Sequence, residues 1–454
     1  MQSNESPGLP DIGVVCLARA TFEVATAEAR YAEIRVRLRS ASGARYHFVE
    51  EPLIEVEDAR RAAEQLRRVP VEALVLISGT FHLGHLALEL RRALPGCPLL
   101  LWGLDEPPHA GGKIRLNSVC GVNLDASNLY KAGVRSYHHC IGDAIDPDWV
   151  AAIRAREALR GCRLGIVGHH ARGFYNLDVD ELGLHRELGC LVRHHELQAL
   201  YDAAAPAEEV ARRTEELRDR FAVDGVTEAQ LDRVARLAVK VAGFCDEHRL
   251  DALALRCWPE FAASYGVSPC AAMSLLQAEG RLLACEGDLD GALSMVALRA
   301  VAGEPPFLAD LSQIQREQNA VLLWHCGVAP CSLWDGESRR SLDTYFAGGK
   351  GVTADFVLRP GAMTLLRIDS CDGGRRLYCR DVEALPTPQT LKGTYVSARF
   401  EADVERELEV VIRSGLAHHV AAAYGAHRRA LELLARVQGW PVIAPSPQAE
   451  LAQG

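Results

Sequence analysis

Acids that follow apolar runs are the residues of this chain best placed to do chemistry. The run Arg281-Leu282-Leu283-Ala284-Cys285 leads into Glu286, Asp288 and Asp290, and Asp310 follows Pro305-Pro306-Phe307-Leu308-Ala309. Carboxylates where a buried strand emerges are costly unless a cation meets them, so a metal or proton-transfer centre is expected here. Asp288 reads as the N-cap of a helix starting near Leu289, and Asp290 as part of its first turn, roles worth about 1 kcal/mol each. Neither role explains Glu286 or Asp310. Two carboxylates completed by one imidazole would suit Mn²⁺, Mg²⁺ or Fe²⁺ better than a thiophilic metal.

Other strand ends add polar groups. The segment ALRCWPEFAASYG places Arg256, Trp258 and Glu260 after one apolar run, and Trp324-His325 closes another. A parallel sheet presents such residues at the carboxyl ends of its strands. Together they would make a polar cleft with an aromatic wall, suited to a polyhydroxylated ligand. Trp258 and Trp324 read equally well as core fillers.

Histidines occur in adjacent pairs, His138-His139, His169-His170, His194-His195 and His418-His419. Neighbours on a regular element diverge, so a pair seldom offers two ligands to one metal, and H-E-x-x-H is absent. Each histidine alone reads as hydrogen-bonded or surface, with His419 at the edge of packed structure ahead of Val420–Ala423. Gly165-Ile166-Val167-Gly168 continues into His169-His170 rather than into G-x-G-x-x-G, and no Walker A sequence occurs, so nucleotide binding is unsupported.

The elements that must position these groups follow from periodicity. Ile12–Ala18, Tyr46–Glu50, Ala73–Ser78 and Pro98–Trp102 read as short buried strands separated by helices, which predicts a parallel, doubly wound sheet. A second such unit opens at Cys162–Gly168 and includes Leu253–Cys257, Leu282–Cys285 and Ala320–Trp324. After about residue 330 the strands are short and separated by Gly, Pro and Asp turns, favouring an antiparallel barrel or sandwich. The expected architecture is two doubly wound α/β domains followed by a β-rich, barrel-like C-terminal domain. The expected boundaries are 1–158, 159–330 and 331–454, with a frayed tail APSPQAELAQG.

At 454 residues two or three domains are expected. A net charge of -10 without a Lys/Arg stripe argues against nucleic-acid partners. No signal peptide and no spanning apolar stretch is read from the sequence. The 14 cysteines form no C-x-x-C, and the expectation is buried thiols in a reducing, cytoplasmic setting.

With these motifs in place, the chain resembles the L-fucose isomerase-like and L-arabinose isomerase-like metal-dependent sugar isomerases, most clearly from residue 250 onward. The family's ATEND motif, followed by a helix and FAD, is matched by ACEGDLDGA and LAD, and the 24-residue interval from Glu286 to Asp310 is reproduced. The family's N-H-G-A-x-x-Y-G segment is matched by His418-His419-Val420-Ala421-Ala422-Ala423-Tyr424-Gly425, then a helix and Trp440-Pro441-Val442. His418 replaces the family's Asn, and Gly287-Asp288 replaces its Asn-Asp. The resemblance implies Glu286, Asp310 and His419 as metal ligands, with the acids in a central domain and the histidine brought in by the C-terminal one. It also implies Mn²⁺ (Mg²⁺, Co²⁺ or Fe²⁺ being possible) and a homo-oligomer, hexamer or trimer.

The expected reaction is aldose–ketose interconversion through a metal-stabilised enediolate, with Glu286 and Asp310 as the proton-transferring pair. Arg256, Trp258, Glu260 and His325 are candidates for contacts to the remaining hydroxyls. No Arg/Lys cluster suited to a sugar phosphate is present, so an unphosphorylated pentose or 6-deoxyhexose, L-fucose or D-arabinose first, is the expected substrate. The alternatives are an isomerase of an anionic hexose and a non-catalytic sugar-binding or sensor protein.

Overall fold

The apolar runs of the first 150 residues become parallel strands. In the computed structural model, which describes residues 8–108 and 111–444, β1 (Asp11–Leu17), β2 (Arg45–Phe48), β3 (Ala73–Ser78), β4 (Leu99–Gly103) and β5 (Tyr137–Ile141) form one sheet in the order β2-β1-β3-β4-β5. Strands β1, β3 and β4 are buried throughout. That burial is why they read as continuous apolar stretches rather than alternating ones. The chain divides into two compact units, one of Ser6–Glu157 with Leu433–Gly439, the other of Ala158–Glu432 with the residues from Trp440 on. The tail from residue 445 lies outside the described residues.

The second unit contains two sheets. A parallel sheet of β6 (Arg163–Val167), β7 (Leu191–His195), β8 (Ala252–Leu255) and β9 (Leu283–Cys285) runs in the order β7-β6-β8-β9. The other sheet comprises β10 (Phe307–Gln315), β11 (Ala320–His325), β12 (Ser341–Asp343), β13 (Thr353–Val357), β14 (Gly361–Cys371), β15 (Gly374–Leu385), β16 (Thr394–Phe400) and β17 (His419–Tyr424). Pairings β10·β11, β11·β16, β16·β15, β15·β14, β14·β17 and β17·β10 are all antiparallel and close a six-stranded ring. Closure removes the exposed edges that an open sheet of this size would carry.

The barrel starts earlier than composition places it. Strands β10 and β11 lie ahead of residue 330 yet pair into the barrel, not into the central parallel sheet. Phe307-Leu308-Ala309 and Ala320–Leu323 are all buried, so they lack the alternation that would have marked antiparallel strands. The helix Leu289–Ala302 follows β9 and is buried nearly all round, including Asp290 and Ser294. An apolar helix of that kind belongs inside a core, and it carries the chain from the parallel sheet to the barrel. Among the described residues, no helix is long and apolar enough to cross a membrane.

Candidate active site and metal centre

The parallel sheet delivers the first acid at the carboxyl end of β9. Glu286 follows Cys285 in a left-handed conformation, φ +63°, and Gly287 follows at φ +78°. A non-glycine residue held there costs on the order of 1–2 kcal/mol. The turn is stabilised by Ala171 N–H donating to Glu286 O at 2.9 Å. Gly287 is required by close approach as well as by φ, because a Cβ there would sit 2.4 Å from His169 O. Asp288 then caps the helix by accepting from Gly291 N–H at 2.8 Å, as the sequence predicts.

The barrel delivers the other two groups. Asp310 on β10 and His419 on β17 are register partners. His419 Nε2 lies 3.5 Å from Asp310 Oδ1 and 3.6 Å from Glu286 Oε2. His419 is fully buried, at the inner start of its strand rather than at the edge of packed structure as its position before Val420 implies. Its Nδ1 lies 2.8 Å from Asp288 Oδ2. Donation of Nδ1–H to that carboxylate turns the Nε2 lone pair toward the two acids, and Nε2 has no hydrogen-bond partner of its own.

Asp288 is itself held by the buried Arg367, whose Nη1 lies 2.5 Å from Oδ2. Burial would push Asp288 up, but the charges of Arg367 and His419 and their hydrogen bonds outweigh it and hold the carboxyl well below its ordinary range. Burial likewise acts to raise Glu286. The hydrogen bond from His418 and the neighbouring imidazoles prevail and lower it, so Glu286 is ionised at neutral pH, as a ligand or a base must be. His418 shifts the opposite way: burial depresses it, and Glu286 beside it raises it on balance.

The donor set fits a hard or borderline divalent ion. Separations of 3.5 and 3.6 Å are too long for good hydrogen bonds. They match the roughly 3–3.6 Å between ligands on a cation with bonds of about 2.1–2.2 Å. Two further imidazoles extend the set as two overlapping groups that share His419, one of Glu286 with His418 and one of Asp310 with His325. His418 Nε2 is 3.2 Å from Glu286 Oε2, and the buried His325 groups with Asp310 and His419, its Nε2 unpartnered and its ring stacked 5.5 Å from that of His419.

The remaining predicted residues divide. Trp258 is 38% exposed, so it is not a core filler; its ring lies 6.4 Å from that of Phe174, which lies 5.5 Å from that of His418. Trp324 is half-buried against Leu322, Val357 and Tyr395. Arg256 and Glu260 bond to each other, Nη2 to Oε1 at 2.9 Å, and neither joins the carboxylate–histidine cluster.

Comparison with known proteins bears on this architecture. A family model described as "Fucose/sulfoquinovose isomerase, N-terminal domain" matches residues 13–146. The chain is 29% identical over 391 residues to the sulfoquinovose isomerase of Alkalicoccus urumqiensis, covering 82% of this chain and 86% of that protein. It is 26% identical over 424 residues to the sulfoquinovose isomerase of Priestia megaterium, covering 90% and 94%. The protein of the same name from Clostridium sp. (strain MSTE9) is 28% identical over 419 residues, covering 89% and 92%. The matched domain model and these relatives support an isomerase of the L-fucose isomerase-like kind.

Three residues of the centre escape a reading of motifs alone. The second role of Asp288, orienting His419, is hidden because capping already accounts for it. Arg367 carries a signal in hindsight: a guanidinium between Leu366 and Ile368, inside an apolar strand, needs a buried partner. His418 stands where the family has Asn, and its contact with Glu286 depends on a backbone path that spacing does not reveal.

Proposed function

We propose that this sugar isomerase is a divalent-metal-dependent aldose–ketose isomerase of an anionic hexose, sulfoquinovose or a close analogue. The observation that carries the reading is the buried, unpartnered Nε2 of His419, set 3.5 and 3.6 Å from two carboxylates. The substrate class rests on relatives named for sulfoquinovose over nearly their whole length. A neutral pentose or 6-deoxyhexose accordingly gives way to an anionic sugar. A sequence without an Arg/Lys cluster disfavours a phosphate dianion, whereas a sulfonate carries one charge and asks for fewer donors.

Glu286, Asp310 and His419 would hold the ion, Mn²⁺ by resemblance, with His325 and His418 beside them. When bound, it would lend Lewis acidity to the sugar's O1 and O2, where charge develops as a proton leaves the adjacent carbon. Glu286 and Asp310 would move that proton between C1 and C2. Trp258 and Phe174 supply an aromatic wall. Arg256 is neutralised by Glu260, so Arg172, exposed on the loop that packs on the Glu286 turn, is the better reader of a sulfonate. A homo-oligomer belongs to the same proposal.

The test is incubation of the full-length protein with sulfoquinovose, its desulfonated counterpart and L-fucose in deuterated solvent, with and without Mn²⁺. Deuterium at C1 or C2 of the sulfonated sugar, lost on chelation and restored by Mn²⁺, is expected. Exchange undiminished in metal-free protein would remove the metal, and faster exchange on L-fucose would remove the anionic substrate. Tight binding without exchange on any sugar would favour a sensor.

A further inference from the structure

A second group of ligating side chains lies beside the catalytic turn. His169 and His170 follow β6, and with Asp178 their ligand atoms all lie within 4.8 Å of one another. Adjacent side chains diverge on a regular element. Here His169 takes a left-handed conformation, φ +64°, and the two rings approach edge to face with centroids 4.3 Å apart. The conformation defeats the ordinary argument against a histidine pair.

The donors are also free to ligate. His170 Nδ1 lies 3.1 Å from Ala171 O; an N–H there donates to the carbonyl and leaves the Nε2 lone pair available, the arrangement usual for a metal-bound imidazole. Among the described residues, the side chains of His169 and Asp178 make no hydrogen bond or ion pair that would compete. The loop backbone is braced by Ala171 N to Glu286 O at 2.9 Å, Phe174 N to Ala171 O at 3.1 Å and Leu177 N to Phe174 O at 3.0 Å. A braced loop brings its side chains together without a large ordering cost.

We propose that His169, His170 and Asp178 form a second divalent-cation site that takes Zn²⁺ or Co²⁺. Two imidazoles and one carboxylate with an open fourth position make a tetrahedral set that favours these ions over Mn²⁺ or Mg²⁺. A cation there would tie residues 169–178 together next to Glu286. It is independent of which sugar the enzyme isomerises and of whether the catalytic centre holds a metal.

The test counts zinc on the full-length protein after equilibrium dialysis against Zn²⁺ with excess Mn²⁺, for wild type, H170A and the conservative D178N. Wild type should retain one zinc equivalent more than either variant, with manganese content equal in all three and thermal melts unchanged. Cobalt-loaded wild type should show the visible absorption of tetrahedral Co²⁺, absent in H170A. Equal zinc counts in all three proteins would overturn the site, as would zinc that enters wild type only by displacing manganese.

Discussion

Asp310 and His419 face each other across the antiparallel pairing of β10 with β17, and that register brings Oδ1 to 3.5 Å from Nε2. A slip of one residue would send one of the two to the opposite face of the sheet. The third group, Glu286, arrives from the parallel sheet through a left-handed turn. Barrel register and one strained turn therefore define the centre between them.

The turn predicts a contrast between two glycines. Gly287 and Gly303 have nearly the same φ, +78° and +79°, but a Cβ at Gly287 meets His169 O at 2.4 Å while one at Gly303 meets nothing within 4 Å. Gly303→Ala should cost about 1 kcal/mol and leave kcat/KM unchanged. Gly287→Ala should cost more and lower kcat/KM at least tenfold, because the loop at His169 must move and Glu286 with it. Similar kcat/KM in the two variants would show that the loop contact does not position Glu286.

Asp288 is predicted to serve the metal more than the helix. Asn caps about as well as Asp, so Asp288→Asn preserves the helix start but removes the charge facing His419 and Arg367. Metal affinity should fall by about 10–100-fold, the usual cost of losing an outer partner of a ligating histidine. Leaving Arg367 under-compensated should cost on the order of 3 kcal/mol. Titration calorimetry with Mn²⁺ and urea unfolding read the two effects separately; unchanged Mn²⁺ affinity would refute the orienting role.

The legibility of this fold and site in the sequence has a physical boundary. Glu286 and Asp310 stood out because local capping and solvation leave them unexplained, and the first-domain strands stood out because burial on both faces makes them uniformly apolar. The same uniformity concealed β10 and β11 as barrel strands. Adjacent histidines diverge on a regular element, whereas His169 has a positive φ and His418 and His419 both reach Glu286. A local explanation, capping, was sufficient for Asp288, and its second partner came from a distant strand.

Asp290 predicts a pH dependence of stability. Burial pushes its pKa up to about 6, with Arg367 opposing and Asp288 reinforcing the rise. The folded state thus holds this proton more tightly than the unfolded chain. That stabilisation is fully present below the unfolded pKa, near 3.8, and is lost as pH rises through about 6. A shift of about 2 units corresponds to roughly 3 kcal/mol. Asp290→Asn cannot titrate, so its stability relative to wild type should rise from about pH 4 to about pH 6 and then level off. Urea midpoints across that range check it, and a flat or falling difference would count against a proton on Asp290.

Substrate charge makes a separate prediction at Arg172. Arg172→Gln should lower kcat/KM for the sulfonated sugar at least tenfold, about 1.4 kcal/mol, and leave the desulfonated counterpart nearly unchanged. An equal loss on both sugars would assign Arg172 to the loop's structure and not to charge recognition.

The adjacent histidines of β17 provide the sharpest assignment. Both approach Glu286 Oε2, His418 Nε2 at 3.2 Å and His419 Nε2 at 3.6 Å. Only His419 also approaches Asp310, and only its Nδ1 is committed to Asp288, which leaves the Nε2 lone pair facing the two acids. His418 is 39% exposed at its side chain and touches Glu286 alone among these acids, so it positions that carboxylate. His419→Gln should therefore abolish Mn²⁺ binding and turnover together. His418→Ala should keep Mn²⁺ affinity within tenfold while kcat falls, and His418→Asn, which can still donate to Glu286, should recover much of the loss. Calorimetric Mn²⁺ affinity beside kcat for the three variants decides between the two imidazoles. Loss of metal from His418→Ala with retention in His419→Gln would reverse the assignment, because a residue that only positions Glu286 has no lone pair to withdraw from the ion.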